Sequence, residues 1–396
     1  MNTNGKRAWA KPSATVPLAM ELTCVMLFGS SAFAEKGGKK KPPPPQPPAG
    51  WAVIMLEPSG WYDWAWSIGC GVSGGQQAGA AAFAPGMRLH ASLWSGSRDS
   101  WVDLHPSGSE YESSEAYGVA AGRQVGYVKF APDSPYPYSE HAALWAGSPE
   151  IWVDLHPAWA RGSRAYRVSG DQQVGFGTVY NATHAALWSG APESGVDLHP
   201  SGTVWEGSAA YGIDEGQQVG IVNRYDEHDQ QYHTHASLWS GTPESWVDIH
   251  PQEAIESYAN DVSDGQQVGS ADFFIWNKRE RKYITQRHAG TWNGTAASWV
   301  DLHPDGYEGS WAGGASHGYQ AGSAWLSDGF EHAGVWSGTP ESWIDLGALL
   351  HPYYWYSAAE DIEVTDTDVW VVGWACWWDL DWVYYDAVMW HKKLSP

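Results

Sequence analysis

A unit of 43 to 53 residues recurs seven times along this chain, and that periodicity limits the fold more than any other feature. Each unit reads VDLHP, a variable loop, a segment like SAAYGI, then GQQVG, a second variable loop and HAxLW. The GQQVG-type segments occupy residues 75–79, 123–126, 172–175, 216–220, 265–269 and 318–322, with 369–373 as a divergent seventh. The HAxLW segments end at Trp94, Trp145, Trp188, Trp239, Trp292 and Trp336, and a seventh, AVMW, ends at Trp390. Within a unit, four apolar runs of four to seven residues are separated by Gly, Pro, Ser or Asp turns. They are too short for helices and read as four antiparallel strands.

Units of this length and strand count match the blades of a β-propeller, with a solenoid as the alternative. The phase of the repeat favours a closed ring. Residues 51–58 (WAVIMLEP) align with the last strand of a unit, and the folded region ends on AVMWHKK, a third strand. Blade seven then lacks its outer strand, and the N-terminal segment supplies it, which removes the open edges. The expected fold is all-β: a seven-bladed β-propeller over residues 51–396, four antiparallel strands per blade, closed by the N-terminal strand.

The succession GQQVG, HAALW, VDLHP resembles the extracellular repeats of the HAF family, whose units carry a Gly-x-Val-Val-Gly turn, His-Ala-Phe-Leu-Trp and Asp-Leu-Gly. Here Ala, Ser or Gly replaces the Phe, and Asp-Leu-His-Pro mostly replaces Asp-Leu-Gly, which survives at Asp345, Leu346 and Gly347. The likeness covers roughly residues 51–394 as a short degenerate motif. It implies a secreted repeat protein and hands over no catalytic residue.

The ends carry different chemistry. Lys6, Arg7 and Lys11 precede an apolar run over residues 22–31 and an Ala-Phe-Ala site at 32–34, the pattern of a signal peptide over residues 1–34 cut after Ala34. Residues 35–50 (EKGGKKKPPPPQPPAG) cannot build a core and read as a Lys/Pro-rich extended linker. No later stretch reaches the eighteen apolar residues of a membrane span, so no transmembrane helix is expected. From Trp51 onward, 15 Lys and Arg face 43 Asp and Glu. A field of that sign repels nucleic acid and anionic lipid and leaves cations, neutral glycans and basic proteins as partners. With Cys24 in the leader, Cys70 and Cys376 remain, and their different heights on aligned strands favour two thiols over a bridge.

Five histidine pairs stand fifteen positions apart: His90 and His105, His141 and His156, His184 and His199, His235 and His250, His288 and His303. A fixed seven positions separate the Trp of HAxLW from the start of the next strand, so the two strands form a hairpin of constant register. If Trp145 faces Trp152, His141 faces His156, and Asp154 lies diagonally within reach of His141. The equivalent acids are Asp103, Asp197, Asp248 and Asp301. An Asp–His network locking the outer hairpin is the favoured reading. Metal binding by a pair is the alternative, and it needs three or four ligands where the unit offers two His and one already committed Asp.

Alternate loops of antiparallel strands lie on opposite faces. The turns before GQQ and inside WSGTPESW are short and nearly constant. The loops after QVG and after LHP vary and share the other face, where binding is expected. There, residues 223–235 gather Asp226, Glu227, His228, Asp229 and His233, either a cation site or a solvated hairpin tip. Trp61, Trp159, Trp205, Trp311 and Tyr353 fall in variable loops and are candidate ligand-stacking residues, whereas the two strand tryptophans per unit read as wedges between blades.

No phosphate loop, G-x-S-x-G, H-E-x-x-H or cysteine metal cluster occurs, and no cofactor is implied. These features favour a secreted or envelope-associated monomer, a non-enzymatic binding or scaffold module working through its variable loops on an unknown protein or glycan. A lectin-like propeller is the first alternative and a propeller hydrolase or lyase the second. A lectin would expose loop aromatics in several blades, an enzyme would gather one asymmetric cluster in the central funnel, and a scaffold would do neither.

Overall fold

Each repeat forms a four-stranded antiparallel sheet whose strands neighbour one another in chain order, and seven such blades make the molecule. The computed structural model describes residues 48–394, apart from 59–65, 84–87, 137–138, 203–204, 278–280, 328 and 380–381. The residues read as a signal peptide, most of those read as a linker, and Trp61 lie outside the described residues. Blade two shows the pattern from the axis outward, with strands Tyr111–Ala120, Arg123–Phe130, Glu140–Trp145 and Trp152–Asp154. Blade seven takes its outer strand from the other end of the chain. Trp51–Met55 pairs antiparallel with Trp382–Lys393, Trp51 opposite Lys392 and Met55 opposite Val388. That pairing closes the ring at its seam. No helix among the described residues is long and apolar enough to cross a membrane.

Two sequence features make the blades pack. The glycine of QVG lets the second strand lie against the first, because a Cβ on Gly220 would stand 1.9 Å from the Ala209 carbonyl oxygen. The HAxLW tryptophans are the wedges between blades. Trp145 is fully buried and packs with Ala78, Leu93 and Leu104 of blade one and Ala116 and Val119 of its own blade. Cys70 and Cys376 are separate, buried thiols.

The outer hairpins fix the spacing of the paired histidines. In blade two Trp145 lies opposite Trp152 and Ala143 opposite Asp154. The rings of His141 and His156 then stack, with centroids 3.9 Å apart and planes 7° from parallel. His141 Nδ1 donates to Asp154 Oδ2 at 2.7 Å, and Asp154 Oδ1 accepts the His156 backbone N–H at 2.8 Å. A residue that the spacing does not reveal completes the chain: Ser163, on the inner strand of the next blade. Its Oγ accepts the Ala142 N–H at 2.9 Å and meets His156 Nδ1 at 2.9 Å. The hydroxyl's single proton is satisfied on a neutral His156, and burial first, then the neighbouring His141, holds that imidazole down at about 4.

The same linkage joins blades one to two through Ser114, three to four through Ser208, four to five through Ser257 and five to six through Ser310. Blade six has Gly347 in place of the second histidine but keeps the serine contact, Ala333 N–H to Ser357 Oγ at 3.0 Å. At the seam Ala387 N–H donates to Ser67 Oγ at 3.0 Å. The histidine spacing is thus the visible part of a blade-to-blade hydrogen-bond ladder.

Candidate active site in the axial funnel

All seven inner strands carry a β-bulge at one height. The register skips a residue between Gly69 and Gly71, Ala116 and Gly118, Ala165 and Arg167, Ala210 and Gly212, Ala259 and Asp261, Ala312 and Gly314, and Ala359 and Asp361. The skipped residues are Cys70, Tyr117, Tyr166, Tyr211, Asn260, Gly313 and Glu360. A bulge re-aims its extra side chain, and here the six with side chains line one cavity of about 20 Å³ together with Arg167. Contributions from six blades put that cavity on the propeller axis, with room for about one water.

The position after the bulge is Gly in four blades and Arg167, Asp261 and Asp361 in the other three. Arg167 Nη1 donates to the Tyr117 and Cys70 carbonyls at 2.9 and 3.3 Å, and its Nη2 stands 3.8 Å from Asp361 Oδ1. Asp361 accepts backbone N–H groups from Val72, across the seam, and from Ile362, both at 2.9 Å, while Asp261 accepts from Ala315 at 3.0 Å. Burial pushes both aspartates up, against the pull of the Arg167 charge. On the constant-face side of this layer lies a depression of about 680 Å³ lined by Val72, Ser316, Ile362 and Glu363 among others.

On the variable-face side, two carboxyls stand out. Glu331 is the first residue of strand Glu331–Trp336, and its Oε1 accepts Trp311 Nε1–H at 3.0 Å and the Ser323 hydroxyl. Glu360 Oε1 accepts Trp374 Nε1–H at 2.8 Å. The second oxygen of each has no hydrogen-bond partner among the described residues. Burial raises both, and Glu360 reaches about 7, the Trp374 hydrogen bond opposing the shift and the charge of Glu331 adding to it.

Aromatic rings wall the pair. Trp66 meets Tyr385 edge to face (5.9 Å, 68°) and Tyr385 meets Trp374 in the same way (5.4 Å, 62°). The missing side chain of Gly313 makes room for Trp311 near the Glu360 backbone: a Cβ there would stand 2.5 Å from the indole and 3.0 Å from the Glu360 carbonyl oxygen. Glu331, Glu360 and the four rings are all partly exposed, so solvent reaches them. Two arginines at the inner and third strands are committed elsewhere, Arg164 to Glu140 at 2.7 and 3.0 Å and Arg287 to Asp272 at 2.8 and 2.9 Å. Neither Glu331 nor Glu360 has an ion-pair partner among the described residues.

The residues singled out from sequence are not brought together. Trp311 lies on the inner strand Gly309–Ser316 and faces this funnel, not a variable loop. Trp159 lies over Gly177, where a Cβ would stand 2.4 Å from its ring, and donates Nε1–H to the Gly195 carbonyl at 3.2 Å, so it is packing. Trp205 opens an inner strand opposite Arg224. Tyr353 is 47% exposed beside Tyr354. Asp226, Asp229 and His233 do meet at a hairpin tip, with ligand atoms within 4.8 Å of one another, while Glu227 and His228 stand exposed outside the group. Glu331 and Glu360 were not legible as a site, although aligning the seven units at the Tyr of SAAYG exposes Glu360 as the one charged member.

The sequence matches no protein-family model and no curated protein. The structure is similar to the β-propeller domain of the Trilobed protease from Pyrococcus furiosus, which has an open velcro topology, with a TM-score of 0.54 and 9% identity over 85% of this chain and 97% of that one. It is also similar to a puromycin hydrolase (TM-score 0.49, 13% identity, 82% and 53% covered) and to the acylaminoacyl peptidase of Pyrococcus horikoshii (0.48, 9%, 84% and 53%). This chain spans about half the length of those two proteins. At such identities the likeness is one of fold, a β-propeller.

The expectation of a non-enzymatic binding or scaffold module working through variable loops, with a lectin as its alternative, is corrected at this point. The solved propeller that this chain matches at a TM-score of 0.54 is a domain of a protease. The asymmetric charged cluster of this chain lies on the axis, built by inner strands, and not on the variable loops.

Proposed function

We propose that this protein is a propeller hydrolase acting on peptide-like acyl bonds, with its chemistry in the axial funnel and Glu360 as the group that moves the proton. The observation that carries this reading is the Glu331–Glu360 pair, reached by solvent, set among aromatic rings and without an ion-pair partner among the described residues, with Glu360 held at about 7. A carboxyl poised there exchanges protons readily near neutrality. Ionised Glu360 takes a proton from water as the water oxygen bonds to the acyl carbon. The proton then passes to the leaving nitrogen as the C–N bond breaks, so the acyl product gains OH and the amine gains H. The similarity to a protease's propeller domain adds support for peptides as the substrate class. The leader over residues 1–34 and the resemblance to HAF repeats support an extracytoplasmic site of action.

The test is turnover of a panel of fluorogenic peptide and aminoacyl arylamide substrates by the wild-type protein and by Glu360→Gln. The wild type is expected to turn over at least one class, with an acid limb near pH 7, and the variant to lose about 100-fold or more in kcat/KM. No turnover by the wild type, or equal turnover by both, overturns the proposal.

A further inference from the structure

The funnel also has the composition of a receptor for an organic cation, and we infer that it takes a primary ammonium group between Glu331 and Glu360. Three features converge. The rings of Trp66, Tyr385 and Trp374 pack edge to face at 68° and 62°, not as a flat stack, and Trp374 also holds Glu360 through its N–H. Trp311 is tied to Glu331 through its N–H. Aromatic walls of this kind attract a cation through their ring faces, most of all where water is thinned out.

The carboxyls supply the second feature. Each is anchored by one oxygen to an indole N–H and leaves the other oxygen without a partner among the described residues. Two anchored acceptors suit a group with several N–H donors, and an ammonium has three. Third, neither carboxyl has an ion-pair partner among the described residues, although the Arg167 charge reaches Glu360. Arg164 and Arg287 are each held by a bidentate carboxylate of their own, and Arg167 is turned to the Tyr117 and Cys70 carbonyls and to Asp361. The folded domain, with 43 acidic against 15 basic side chains, draws cations toward it.

On the hydrolase reading, on which only the word substrate rests, this places the amino-terminal residue of a peptide in the funnel, its ammonium on Glu331 and its acyl carbon beside Glu360. A cation arriving between the carboxyls favours the ionised state of both and leaves Glu360 able to accept a proton from water.

The experiment compares phenethylamine with its neutral counterpart 2-phenylethanol by calorimetric titration of the full protein at pH 8 and pH 5, with Glu331→Gln alongside. The amide retains acceptors for Trp311 and Ser323, and the melting temperature of the variant checks its fold. The amine is expected to bind at least about 30-fold tighter than the alcohol at pH 8. That preference should shrink to within about threefold at pH 5, as Glu360 takes its proton, and likewise in Glu331→Gln. Equal affinity for amine and alcohol in the wild type, or an unchanged preference in a folded Glu331→Gln, overturns the inference. Amine binding by a protein that hydrolyses nothing upholds this site and removes the hydrolase reading; turnover without amine preference does the reverse.

Discussion

The outer hairpin of blade two and the inner strand of blade seven come from the same repeat, yet they use it in opposite ways. In the hairpin the ladder is linked within the blade and on to the serine of the next: His141, Asp154, His156 and Ser163 are joined at 2.7 to 2.9 Å, and blades one, three, four and five repeat the arrangement. In the inner strand the bulge residue changes from Tyr to Asn, Gly, Cys or Glu, and around Glu360 carboxyl oxygens are left without partners. Satisfied repetition stabilises a scaffold; unsatisfied departure from it makes a place for a ligand.

That contrast can be broken by experiment, starting with the largest effect. Trp145→Ala empties a fully buried wedge between blades one and two and should cost about 3–5 kcal/mol in denaturant unfolding. A cost below 1 kcal/mol would mean that the blades do not depend on their wedges. Ser163→Ala strands the Ala142 N–H and the His156 ring nitrogen and should cost about 1–3 kcal/mol, with Ser114→Ala and Ser208→Ala falling in the same range. Unequal costs across the three would show that the ladder is not one repeated device.

The two regions should also answer pH with opposite signs. His105, His156, His199, His250 and His303 are held at about 4, by burial first and the stacked partner histidine second. Unfolded, they take up protons near 6.5, so the stability of the neutral ladder is lost as pH falls from 6.5 toward 4. Glu360 runs the other way. Its folded carboxyl keeps a proton up to about 7 and its unfolded one only to about 4.5, so its contribution is present below that range and lost as pH rises through it. Glu360→Gln should therefore gain about 1–3 kcal/mol at pH 8 relative to its effect at pH 4, allowing for partial exposure. Thermal unfolding of wild type and variant at both pH values measures the difference, and a gain independent of pH would detach Glu360 from any titration.

How much of this was legible in the sequence follows from the same contrast. The outer hairpin could be laid out residue by residue because two invariant spacings, Trp to Trp and His to His, fix an antiparallel register. The closing strand was legible from the phase of the repeat, since residues 51–58 match an outer strand that blade seven lacks. The bulge was not, because one extra residue inside SAAYG leaves no mark on the alternation of apolar and polar side chains. Without it Trp311 reads as a loop residue, and Glu360 as one acid among many. Glu331 and Glu360 lie 29 positions apart and in consecutive blades, so only the packing of blade six on blade seven brings them to one funnel. Ser163 was missed for a related reason: the hydrogen bond it makes crosses from one unit to the next.

One paired measurement tests the division between scaffold and site most directly. Glu360→Gln and Asp154→Asn each replace one carboxyl by its amide, one on the axis and one in the ladder, and kcat/KM on peptide arylamides and the melting temperature are read for both. Glu360→Gln is expected to lose at least about 100-fold in kcat/KM while melting no lower than the wild type, and Asp154→Asn to melt lower while keeping its kcat/KM within about threefold. Activity retained in Glu360→Gln, or activity lost in a folded Asp154→Asn, would contradict the account.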